Sequence, residues 1–188
     1  MGKKTFCALL WLMCAVSGFC ASVSFQIVQH NDSMSSVCNS VLVIEDEILN
    51  SFFNSGYIVS NSPASMSSSA AQDKKLWNLG YSEAIEGSFD DFIQIHLYFN
   101  ESTAKNTQTV ALGMIDKIGW KIVSLKNGKT VEEKTKSIKK PMGADTEDNV
   151  RLFAKDFAVY IQGVLRKNNS AYELRTTVNA ARDFKEGI

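Results

Sequence analysis

Histidine is nearly missing from this 188-residue chain, which carries only His30 and His96. The two stand far apart, and no cysteine or carboxylate cluster accompanies them at ligand spacing, so the sequence offers no zinc motif. His96 falls on the polar face of an expected strand and reads as a partly exposed sheet histidine. Net charge is missing as well: 20 basic and 20 acidic side chains cancel, which leaves no field to gather nucleic acid. The lysine-rich stretch 126–140 and the acidic stretch 83–91 read as solvated surface. There is no Gly-x-Ser-x-Gly elbow, no phosphate-cradling glycine loop and no dinucleotide fingerprint. Asp90 and Asp91 are adjacent, but neighbours on a strand point to opposite faces and do not readily share a proton. The run Glu45-Asp46-Glu47 has no calcium-loop pattern around it and reads as the wet side of a helix. No catalytic, cofactor-binding or metal-ligating residue is expected, and no cofactor.

Long apolar runs are missing too. The longest, residues 6–16, falls short of the roughly 20 residues that cross a bilayer. It follows Lys3 and Lys4 and precedes the small-residue stretch 17–22, which is the pattern of a secretory signal. Residues 1–22 are therefore expected to leave, with cleavage after Ser22 or after Cys20. A lipoprotein signal that lipidates Cys20 is the alternative, although Phe19 and Ser17 depart from that pattern, and membrane association depends on it. Gly2 myristoylation fails because Phe6 stands where Ser or Thr is needed. Once Cys7, Cys14 and Cys20 are gone, Cys38 has no partner for a disulfide. It is either a small buried residue or a thiol made reactive by the first turn of a helix.

What is present is well patterned. Residues 23–168 read as a single α+β domain and 169–188 as a C-terminal tail with weak helical character. Residues 23–27 alternate as a strand, and Asn31-Asp32-Ser33 breaks it. Val37, Val41, Ile44, Ile48 and Phe52 recur at helical spacing, with Leu49 and Phe53 widening the stripe; Ser35 or Ser36 is placed to cap this helix and Gly56 to end it in the left-handed region. Residues 57–59 form a short strand, and the serine-rich 61–69 reads as a mobile loop. Asp73 caps a second helix with Leu76, Trp77, Leu79 or Gly80, and Ile85 inward, Gly80 weakening it and Gly87 ending it. A strand at 90–99 leads through a polar hairpin loop, 100–107, into 109–115. Residues 120–125 continue or pair with that segment, with a bulge at Gly119. Asn127-Gly128 predicts a two-residue type I′ hairpin, and 130–135 a charged edge strand. Asp145 or Thr146 caps a last helix with Val150, Phe153, Phe157, Tyr160, Ile161 and Val164 on one stripe, ending at Asn168-Asn169. The order β-α-β-α-β-β-β-α predicts a two-layer sandwich, a mixed and largely antiparallel sheet with helices on one face. Trp77, Tyr81, Tyr98 and Trp120 are candidate partner anchors at the sheet rim, or else core.

Two segments, VLVIEDEILNSFFNSGYIV at 41–59 and GWKIVSLKNGKTV at 119–131, resemble the helix–glycine–strand and strand–turn–strand units of one bacterial envelope group. That group is the curli-secretion-channel (CsgG) type, with the penicillin-binding-protein activator LpoB and the N-terminal domain of TolB. The resemblance implies a periplasmic or outer-membrane-associated protein that binds an envelope protein partner, without catalysis, as an assembly or regulatory factor. The membrane hairpins of the channel formers have no counterpart here. The alternative is a module for a small ligand or envelope glycan, and less so a hydrolase built on perturbed carboxylates such as Asp90 or Asp91. Self-association is open.

Overall fold

The computed structural model describes residues 21–31, 33–102 and 106–186. The expected signal up to and including Cys20 lies outside the described residues. The elements are β1 (Ser22–His30), α1 (Asn39–Asn54), β2 (Ile58–Met66), α2 (Ala70–Glu86), β3 (Asp91–Phe99), β4 (Ile115–Ser124), β5 (Lys129–Ser137) and α3 (Glu147–Glu186), with a 3-10 turn at Leu112–Met114. They form one five-stranded sheet in the order β2-β1-β3-β4-β5. Strand β1 runs parallel to both β2 and β3, and β3, β4 and β5 are antiparallel. This is the expected α+β class with a mixed sheet.

Alternation along the strands decides what each face holds. Val23, Phe25 and Ile27 of β1 and Ile93, Ile95 and Leu97 of β3 face one side. There they meet Val41, Ile44, Ile48 and Phe52 of α1 and Val150, Phe157 and Ile161 of α3. Full burial of each such side chain stabilises by about 1.5–3 kcal/mol, so this sheet-and-two-helix sandwich is the main core. Helix α2 lies on the other face, where Gly80 packs against the ring of Phe92 and the amide of Gln26. The reason is handedness. A right-handed crossover from β1 to β2 and another from β2 back past β1 to β3 travel in opposite directions, so their helices fall on opposite sides.

Local chemistry differs from expectation at several places. The first helix begins later than Ser35 or Ser36 would set it: Cys38 precedes it and offers no side-chain cap. In its place Gln29 Oε1 accepts from the Cys38 amide at 2.8 Å and the Thr107 carbonyl accepts from the Asn39 amide at 2.7 Å. Cys38 itself is fully buried. The far end is as expected. Gly56 sits at φ +83°, the Tyr57 amide bonds back to the Phe52 carbonyl, and the Phe52 and Tyr57 rings meet edge-on at 5.1 Å, which is a Schellman stop with its apolar contact.

The serine-rich stretch is strand, not loop, through Met66: pairing with β1 supplies its hydrogen bonds, and Pro63 sits where the register shifts, a place an edge strand tolerates. Ser69, not Asp73, caps α2, accepting from the Gln72 amide. Gly119 lies in regular register opposite His96, without a bulge. The β4–β5 connection is four residues, 125–128, with φ positive at Gly128 alone, so it is not type I′, which needs two such residues. Asp145 accepts from the Leu112 and Gly113 amides and ties the 3-10 turn, leaving Thr146 to precede α3. Helix α3 does not stop at Asn168-Asn169 but continues to Glu186.

Candidate functional site

Strands β1, β2 and β3 are parallel, so all three finish at one end of the sheet, at His30, Met66 and Phe99. At that end α1 leaves β1 on one face while α2 reaches β3 over the other. The gap between β1 and β3 is thus a topological switch point, the place where open parallel sheets form ligand crevices. A cleft of about 340 Å³ opens there, lined by His30, Asn31, Ser67, Ser69, Asp73 and Tyr98 among others. That volume is at the small end for ligand pockets.

The register of β1 on β3 pairs Val28 with His96 and His30 with Tyr98. It brings together the two histidines, 66 positions apart, with His30 Nε2 2.8 Å from His96 Nδ1. Spacing gave no reason to join them, because parallel pairing across an intervening strand and two helices leaves no local trace. The other nitrogen of His96, Nε2, lies 3.0 Å from Gln94 Oε1, and Gln94 Nε2 donates in turn to Gln26 Oε1 at 2.9 Å. An amide oxygen can only accept, so His96 carries its proton on Nε2 and turns the lone pair of Nδ1 toward His30. Burial, and secondarily the neighbouring His30, pushes His96 down to about 4, so the ring is neutral near pH 7. Tyr98 lies flat on His30 with centroids 4.4 Å apart. Its hydroxyl is raised above the ordinary tyrosine value by burial and by the charge of Asp73.

Asp73 enters from the first turn of α2. Its Oδ1 stands 3.9 Å from His30 Nε2, is buried and accepts no hydrogen bond. His30, Asp73 and His96 each contribute a donor atom to a group whose members all lie within 4.8 Å of one another. Gly119, opposite His96, is closely surrounded: a Cβ there would stand 3.6 Å from that of His96 and 3.2 Å from Thr135 Oγ1.

The other residues singled out from sequence are dispersed. Trp120 is 3% exposed and packs on Phe157 and Tyr160, so it belongs to the core and not the rim. Trp77 and Tyr81 lie over Phe92 under α2, with the Lys121 ammonium 4.9 Å from the Trp77 ring. Only Tyr98 of the four aromatics reaches the cleft. Asp90 is held by the Ser22 amide and hydroxyl and by Lys126 at 3.1 Å; burial works against ionisation there, but these partners keep its carboxyl below the usual range. Asp91 is 1% exposed and turned away from solvent.

Fold and site together define an α+β domain with a small polar cleft at the carboxyl ends of a parallel half-sheet. The chain belongs to the family whose model, described as "Uncharacterised protein", matches residues 22–162. No curated protein matches it. Among solved structures it is similar to protein XCC0632 from Xanthomonas campestris, of family model DUF330, at 6% identity and TM-score 0.42, over 80% of this chain and 88% of that one. It is also similar to lipoprotein GNA1162 from Neisseria meningitidis, at 12% identity and TM-score 0.40, over 76% and 99%. A third is a PelC dodecamer from Paraburkholderia phytofirmans, at 10% identity and TM-score 0.40, over 77% and 89%. Among the described residues no helix is long and apolar enough to cross a membrane.

Proposed function

We propose that this chain is an exported, non-catalytic binding protein of the bacterial envelope, and that its working site is the cleft between β1 and β3. The observation that carries the reading is convergence: His30, Asp73 and Tyr98, from three separate elements, meet at the switch point of the parallel half-sheet. The lining is hydroxyl- and amide-rich, with Ser67, Ser69 and Asn31 in it, so the fitting ligand is small and polar, of metabolite or sugar size. Export follows from the N-terminal signal pattern. The non-catalytic reading is supported by where the two acid–base candidates lie: Asp90 is committed to Ser22 and Lys126, and Asp91 is sealed in the interior.

The test is a thermal-shift screen of polar metabolites and glycans in the presence of a chelator, with hits mapped by amide chemical shifts. Hits that perturb His30, Ser67–Ser69 and Tyr98, and vanish on Tyr98→Ala, support the reading. Hits that map elsewhere overturn it, as does an empty screen.

One observation favours a second reading, docking of a protein partner as in an assembly or regulatory factor. Edge strand β2 has no charged residue in its nine positions, and Ile58 is 57% exposed. An uncharged edge accepts an added strand. The helix–glycine–strand unit that resembles the curli-secretion-channel group ends in this same strand. Crosslinked pull-down from envelope extract, with Ser60→Pro as the edge-blocking control, separates the two: a defined partner lost in the variant favours docking at β2.

A further inference from the structure

We propose that His30 Nε2, His96 Nδ1 and Asp73 Oδ1 hold a divalent transition-metal ion of the zinc class at the floor of the cleft, with a remaining coordination position open toward it. The inference takes the cleft as a binding site and names what sits at its base. Three independent features carry it. The donor set is two imidazoles and one carboxylate, which suits borderline ions such as zinc, cobalt and nickel and disfavours calcium and magnesium, which take oxygen. The geometry is close: donor separations of 2.8 and 3.9 Å, all within 4.8 Å, against the about 3.3 Å between ligand atoms of a tetrahedral site with 2.0–2.1 Å bonds. Shifts on the order of 1 Å bring all three onto one ion.

The third feature is the support around the donors. A metal-bound histidine characteristically donates its other N–H to a fixed acceptor, which sets both tautomer and ring angle. His96 does so toward Gln94, itself braced by Gln26 in the buried sheet. Asp73 Oδ1 is buried and accepts no hydrogen bond, although the side chain as a whole is one-third exposed, and a buried carboxylate oxygen without a donor is stabilised by a cation. His30 needs only the tautomer with its proton on Nδ1, so two neutral rings and one carboxylate receive the ion without loss of a proton from the site.

The experiment uses the purified protein without an affinity tag, stripped with chelator and titrated with Co(II) and then Zn(II). Visible absorption reports the cobalt geometry and calorimetry the stoichiometry. One equivalent of Co(II) is expected to give ligand-field bands, with displacement by Zn(II) and micromolar or tighter affinity. Asp73→Asn sits on the first turn of α2, keeps the side-chain volume and removes the charged donor, so folding is retained and can be verified by circular dichroism. Asp73→Asn and His96→Ala should each lose more affinity than the about 10–100-fold typical of removing only a ligand's supporting hydrogen bond. Absence of cobalt bands and of binding heat in the folded protein overturns the inference, leaving a neutral histidine–histidine hydrogen bond alone. Binding that Asp73→Asn does not weaken overturns it too. A polar ligand that binds in chelator while no metal binds sinks the metal site and spares the cleft reading; metal binding with an empty ligand screen does the reverse.

Discussion

At the scale of single residues, two side chains show how the sheet face sets their behaviour. Asp91 is buried with both carboxylate oxygens accepting no hydrogen bond. Burial first, and the charge of Asp90 second, pushes it up to about 6 against an opposing pull from Lys126. The folded state therefore holds this proton more tightly than the unfolded chain does. Its contribution is fully present below about pH 4 and is lost as pH rises through about 6, a swing of about 3 kcal/mol. Asp91→Asn should gain about 1–3 kcal/mol near neutral pH and flatten that decline. Urea unfolding across the window checks it, and superimposable pH profiles for the two proteins would refute the assignment. Gly80 is the second case. Sequence alone marks it as a weak point in a helix, and Gly80→Ala in an open helix gains about 1 kcal/mol. Here the added Cβ would stand 2.8 Å from Phe92 Cζ and 3.1 Å from Gln26 Oε1. Overpacking a buried ring costs about 1–3 kcal/mol, so Gly80→Ala is predicted to be net destabilising. A higher Tm for the variant contradicts this.

At the scale of elements, α3 is clamped to the β4–β5 hairpin by one acid. Glu132 on β5 accepts from the Trp120 indole at 2.9 Å, from the Tyr160 hydroxyl at 2.7 Å and from Lys134. Burial disfavours its charge, but these donors outweigh that and hold it below the ordinary glutamate range. Glu132→Ala strands a buried indole N–H and a phenol, which predicts a loss of about 1–3 kcal/mol. Lys134→Ala, at the exposed end of the same chain of bonds, should leave stability near wild type. Equal losses in the two variants would mean that the charge pair, not the indole contact, fastens the helix.

The elements were legible where one residue's chemistry is local: the stripe of α1, its stop at Gly56, the charged edge strand β5. They were illegible where a neighbour decides. Residues 61–66 carry no strand signal of their own and become strand by pairing with β1. Helix α3 runs past Asn168-Asn169 because weak formers do not end a helix when no Gly or Pro follows them closely. The site was hidden for the same reason: His30 and His96 each look ordinary until the β1–β3 register is known.

At the scale of the whole molecule, the sheet divides its labour between two faces of unequal strength. One face carries the apolar contacts of α1 and α3. The other carries Gln26, Gln94, His30 and His96 beneath α2, which buries only Gly80 and Ala84 of its own residues. Helix α1 buries Val41, Ile44, Ile48 and Phe52. At about 1.5–3 kcal/mol for each large apolar side chain, α2 is held several kcal/mol more weakly, and what holds it is ring contact with Phe92 and the Ser62–Glu83 hydrogen bond. Local opening follows such differences. In native-state hydrogen exchange, α2 amides should exchange well before those of α1, with β1 and β3 slowest. Asp73 lies on α2, while His30 and His96 lie on the sheet, so any ligand joining them ties the loosest element to the most rigid. Saturating the site should then slow exchange in α2 selectively, since binding to the closed form adds its free energy to the cost of opening. Protection of α2 equal to that of α1 before any addition would mean that the polar face is as strong as the apolar one. The division between a strong apolar face and a weaker polar face would then be lost.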